Sequence, residues 1–189
     1  MAGCRALTQA EIEEVAGSFS GRYATRNRAM FTVGINTGFR ISELLAIRIK
    51  DVYDGQEVRK YVAVARNGMK GKKRGREVML NEKARNAVRE WIGQAPNVKP
   101  ETPLFHSQKG GAINRQRAHT ILEEAFADCQ LDGTLATHTM RKTFAVRCYK
   151  VSGHDLFMVS RLLGHASVAT TQKYLDVTTD EQHLIINAL

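Results

Sequence analysis

One pair of segments in this chain carries strand character: residues 58–65 (VRKYVAVA) and 76–80 (REVML). β-branched and aromatic residues recur in them, and Arg66 to Gly75, rich in Gly and Lys, lies between. They read as the two arms of an antiparallel hairpin. The other patterned segments repeat apolar residues at helical spacing. The fold class this predicts is mainly α with a small antiparallel β-sheet, an α+β domain.

The helical segments carry their own start and stop signals. Thr8-Gln-Ala-Glu11 is a capping box, in which the hydroxyl accepts from the backbone three residues on while Glu11 reaches back. A second helix is expected over residues 22–36, with Ala29, Met30, Val33 and Gly34 inward, ended by Thr37-Gly38. Arg40 to Ile47 (RISELLAI) opens a short helix, and residues 82–94 form another with Val88 and Trp91 as core positions. Pro96, Pro100 and Pro103 mark a long connection ending on the apolar anchor Leu104-Phe105. Further helices are expected near 114–129, 138–151, 155–163 and 168–175, with an amphipathic piece near 180–188. No internal repeat or low-complexity stretch divides the 189 residues, which read as one domain.

Charge narrows the partner. The 28 Lys and Arg outnumber the 19 Asp and Glu, leaving +9, an excess that favours a polyanion such as nucleic acid. The three cysteines Cys4, Cys129 and Cys148 suggest neither a disulfide framework nor a CxxC metal site. No apolar run approaches membrane-spanning length and the N-terminus lacks a signal-peptide layout. A soluble cytoplasmic protein is therefore expected.

Several residues suit phosphate chemistry, though none decides anything singly. His138 and Arg141, at i,i+3 on a predicted helix, share a face, where a guanidinium can fork onto a phosphate while the imidazole exchanges a proton. Alone, HxxR reads as a surface pair, Gly164-His165 as a helix-ending turn, Tyr174 as a core tyrosine and Arg40 as the surface partner of Glu43.

Their order changes that reading. TGFRISELLAI, a Lys-rich hairpin, HTMRKTFA and LLGHASVATTQKYL follow one another, and together they resemble the catalytic domain of tyrosine recombinases (phage integrases). That family shows an Arg after a Thr-Gly break, a Lys on a β-hairpin, HxxR, a Gly-His after a Leu pair, and a Tyr nine residues beyond that His. The resemblance runs from about Thr8 to the C-terminus.

The resemblance implies a DNA strand-cleaving and rejoining enzyme with Tyr174 as nucleophile. Attack on a phosphodiester builds charge on the non-bridging oxygens, which Arg40 and Arg141 would clamp with paired hydrogen bonds. His138 would accept the tyrosine proton, since a phenol with a pKa of roughly 10 needs a base or a cationic field. His165 would bond the phosphate or support the transition state, and the hairpin lysine would protonate the leaving 5′-oxygen. The product, a 3′-phosphotyrosine, retains the phosphodiester energy, so no ATP is expected; the two arginines could replace metal ions, and no metal or other cofactor is expected.

The lysine is where the match loosens. Counting back from Val78-Met79-Leu80 puts the family lysine at Gly71, one residue off. A hairpin turn longer by one residue puts Lys70 in place, with Lys72 the second choice. Arg66, Lys72, Lys73, Arg74, Arg76 and Lys142 are then expected to contact DNA. The implied partner is double-stranded DNA, held by a homotetramer, with the chain a monomer when free in solution. Family members usually add an N-terminal helical clamp on the other face of the DNA; residues 1–189 read as the catalytic domain without it. Type IB topoisomerases and non-catalytic DNA-binding relatives are the rival readings.

Overall fold

The computed structural model of the protein describes residues 3–64, 75–95, 99–172 and 175. Among them the chain runs through α1 (Gln9–Ser18), α2 (Ala24–Thr37), α3 (Ile41–Ala46), α4 (Ile49–Val52), β1 (Tyr61–Val64), β2 (Arg76–Met79) and α5 (Glu82–Gln94). It continues through α6 (Arg115–Asp128), α7 (Thr137–Val151), α8 (Leu156–Leu163) and α9 (Val168–Gln172). The expected mainly helical fold with one small antiparallel sheet is what forms. The chain divides into two compact units, Met1–Phe144 and Ala145–Leu189.

In the first unit the capping box forms as expected. Thr8 accepts from the Glu11 backbone N–H at 3.3 Å, and Glu11 accepts from that of Thr8 at 2.7 Å. Arg5 forks onto the same carboxylate at 2.9 and 2.5 Å, which pushes the Glu11 carboxyl down to about 2. β1 and β2 pair antiparallel, Tyr61 opposite Met79 and Val64 opposite Arg76, with Val62, Val64 and Val78 inward. The first strand is shorter than the sequence pattern suggests. Val58 forms an isolated bridge with Tyr53 instead of extending it.

A second departure lies just after α3. Ile47 is extended, and its carbonyl accepts from Leu104 at 2.8 Å while Ile49 donates to Thr102 at 2.9 Å. This strand-like contact with the proline-rich connection breaks the helix and restarts it as α4, an element the sequence reading lacked. It also seats the anchor: Leu104 and Phe105 are fully buried, and the Leu104 carbonyl accepts from the Trp91 indole at 2.7 Å. Trp91 and Val88 bring α5 into the core against α2. Burying such side chains contributes about 1.5–3 kcal/mol each, and with its indole N–H satisfied Trp91 carries no polar penalty.

Within the second unit, α8 is capped at both ends. Asp155 accepts from the Met158 N–H at 2.9 Å, and Gly164 closes the helix at φ 65°. Val159 and Leu163 are its buried residues along with Ser160. The described part of α9 ends at Gln172, short of the expected 168–175. The amphipathic piece expected near 180–188 lies outside the described residues. No helix among the described residues is long and apolar enough to cross a membrane.

Candidate active site

The end of α2 sets the frame of the site. Gly38 adopts φ 62° and its N–H donates to Gly34 at 3.2 Å, the left-handed closure that a residue without Cβ adopts freely. A Cβ at this position would run into the Phe144 ring. The Gly38 carbonyl in turn accepts a hydrogen bond from Nη1 of Arg141. Gly38→Ala is expected to lower stability by about 2–4 kcal/mol, combining left-handed strain with overpacking. A urea midpoint that falls at unchanged slope would check it; a shift under about 0.5 kcal/mol would contradict it.

Two residues beyond Gly38, Arg40 is the N-cap of α3 and Glu43 holds it. Oε2 of Glu43 accepts from the Arg40 backbone N–H at 2.8 Å, and Oε1 accepts from Nη1 of the Arg40 guanidinium at 2.9 Å. Arg76, at the start of β2, donates to Oε2 at 2.8 Å. Burial pushes the Glu43 carboxyl up, but the Arg40 N–H and the two guanidinium groups outweigh it and hold the carboxyl below its usual range. Glu43 is 12% exposed, whereas Arg40 is 48% exposed and so presents its head to solvent. The sequence had paired Arg40 with Glu43; it carried no sign of the second arginine.

Helix α7 carries the HxxR pair. His138, in its first turn, is exposed, and Lys142 is half-buried. Arg141 is only 2% exposed. Thr143, one turn from Thr139, donates to its carbonyl at 2.7 Å and accepts from the Leu7 N–H at 2.9 Å, tying the helix to the chain's N-terminal segment. The two arginines of the candidate site are thus fixed to one short stretch: Arg141 to the carbonyl of residue 38, Arg40 two positions further on.

His165 stands in the second unit, immediately after the cap of α8. Its backbone N–H donates to the Ser160 carbonyl at 3.0 Å and that of Gly164 to Arg161 at 3.1 Å, the paired bonds that turn a chain sharply off a helix. Nδ1 of His165 lies 2.8 Å from Oγ1 of the buried Thr171 on α9, a hydrogen bond whose direction the tautomer sets and which orients the ring. Tyr174, Lys70, Arg66, Lys72, Lys73 and Arg74 lie outside the described residues.

A helical scaffold with one small hairpin, offering an exposed and a buried arginine about a single helix stop, is the fold of a tyrosine recombinase catalytic domain. The chain belongs to the phage integrase family, whose model matches residues 5–181. Tyrosine recombinase XerD of Corynebacterium glutamicum is 35% identical over 158 residues, 82% of this chain and 49% of that protein. The probable integrase/recombinase YoeC of Bacillus subtilis is 31% identical over 156 residues, 82% of this chain and 80% of that one. Among solved structures, the XerH site-specific recombinase bound to its difH substrate in a pre-cleavage complex superposes with a TM-score of 0.73 at 26% identity. That match covers 96% of this chain and 53% of XerH. The chain therefore spans about half the length of XerD and XerH.

Proposed function

We propose that this chain carries the strand-cleavage and rejoining chemistry of a site-specific DNA recombinase, with double-stranded DNA as substrate and a homotetramer as the working assembly. The observation that carries the reading is the fixing of Arg141 and Arg40 about Gly38, because phosphoryl transfer at a diester needs cations already in place when charge develops. XerH, a similar protein, was solved on its difH DNA, which supports the same partner class here.

In this reading the Tyr174 oxygen attacks phosphorus, the new O–P bond replacing the P–O5′ bond. The phenolic proton passes to His138, which is exposed on its helix and accessible to a partner. Arg40 and Arg141 take the non-bridging oxygens. His165, its ring oriented by Thr171, bonds the phosphate, and Lys70 delivers a proton to the departing 5′-oxygen. Reversal with a different 5′-hydroxyl rejoins the strands, so the bond energy is conserved.

The test is a nicked suicide duplex carrying a site selected by this chain from random sequence. Wild type should become covalently linked to the 3′ end. No adduct on DNA that is bound site-specifically would overturn the reading. The general acid is assigned in the same assay: Lys70→Ala should lose about 10²–10⁴-fold in rate on ordinary DNA and recover on a 5′-phosphorothiolate, whose leaving group needs no proton. Recovery of Lys72→Ala instead would move the role to Lys72.

A further inference from the structure

The ion-pair group at the start of α3 has more cations than a simple N-cap requires. Glu43 alone would neutralise Arg40 and compete with any phosphate for its guanidinium. With Arg76 on the same carboxylate, two cations face one anion. The geometry divides the labour. Oε1 holds only the head of Arg40 among the bonds described, at 2.9 Å, while Oε2 receives the Arg40 backbone N–H and Arg76, each at 2.8 Å. If the Arg40 head turns to a phosphate, Oε2 keeps both donors. The mostly buried carboxylate stays compensated and the Arg40 backbone stays pinned, avoiding the penalty of a buried uncompensated charge.

Arg76 is itself held. It lies 20% exposed against 48% for Arg40, its guanidinium stands 5.8 Å from the centroid of the Phe39 ring, and the strand register sets it opposite Val64. A side chain held over the residue next to Arg40 is placed to support that arginine. The sequence reading had counted Arg76 among the DNA contacts.

We infer that Arg76 is a positioning residue of the recombination site, acting through Glu43 to hold Arg40 in place while leaving its guanidinium available to the scissile phosphate. The inference rests on the proposed strand-cleavage chemistry for its effect on rate, and on the Glu43 contacts alone for its structural part.

The test combines Arg76→Ala, Arg76→Lys and Glu43→Gln in the full chain, on the nicked duplex described above. At saturating DNA, Arg76→Ala should slow adduct formation by about tenfold or more, and Arg76→Lys should recover part of that loss. In a Glu43→Gln background the same alanine change should cost less than about threefold, because the two residues act as one unit. The salt dependence of DNA affinity should match wild type. A carbon-13 titration of the Glu43 carboxyl, assigned by its absence in Glu43→Gln, should move upward in Arg76→Ala or, if that variant does not fold, in Arg76→Lys.

Three results would overturn the inference. A salt slope reduced by about one with an unchanged adduct rate would make Arg76 a direct phosphate contact. Multiplying effects of the two substitutions would show that they act independently. An unmoved Glu43 titration would remove the link altogether. Were wild type to form no adduct, the proposed chemistry would fail, and the carboxyl titration would still decide whether Arg76 governs Glu43.

Discussion

Tyr174→Phe should abolish the covalent protein–DNA adduct while leaving DNA affinity within about twofold of wild type, since less than about 0.5 kcal/mol of binding rides on one exchanged oxygen. The substitution removes the phenolic oxygen and little else, so shape and apolar area are retained. Without that oxygen there is no nucleophile to form the phosphotyrosine bond. The expected loss is at least about 10⁴-fold, of the size seen when a covalent nucleophile is removed from an enzyme that keeps its binding groups. The adduct is read as a shifted band on a denaturing gel, and mass spectrometry of the digested peptide locates the nucleotide. An adduct that persists at the wild-type rate in Tyr174→Phe would exclude this residue, and Tyr149 of α7 would be the next to test.

What the chain disclosed in advance follows from where each signal is stored. Local chemistry was legible: the Thr8–Glu11 capping box, the helix over Glu82–Gln94, and the inward positions Val88 and Trp91 all form as the residues suggest. So was the helix stop at Gly38. The pairing of residues 47–49 with 102–104 was not, because a contact between distant segments leaves no period in either of them. The second partner of Glu43 was hidden for the same reason: i,i+3 spacing announces Arg40, while Arg76 arrives through the fold, 33 residues later. Arg141 is the sharpest case. Shared helical face with His138 suggests two surface side chains, yet one is exposed and the other buried. Burial of a guanidinium is offset where oxygens receive its N–H groups, and the oxygen that receives Nη1 is the carbonyl at the helix stop of another segment. The family motif order proposes the same residues as one functional group, because a motif is stored in the sequence itself while the bonds that frame it are not.

Arg141→Lys should be the second largest effect, and it separates charge from geometry. Lysine retains the positive charge but offers one rotatable ammonium in place of a planar fork, so it cannot both donate to the Gly38 carbonyl and pair two phosphate oxygens. Loss of a transition-state donor of this kind costs about 10²–10³ in the cleavage rate. The structural cost is smaller. Leaving the Gly38 carbonyl poorly satisfied, in a site where the native residue is 2% exposed, should lower stability by about 1–2 kcal/mol, a fall of roughly 2–8 °C in Tm. Against a total stability of about 5–15 kcal/mol the variant remains folded, so single-turnover adduct formation below Tm reports the catalytic loss alone. If charge were all that mattered, the rate would stay within about threefold of wild type while Tm fell. If Arg141 only supported the Gly38 turn, Gly38→Ala and Arg141→Lys would slow cleavage equally at matched stability. A rate loss in Arg141→Lys well beyond that of Gly38→Ala is the result that places this buried guanidinium on the phosphate.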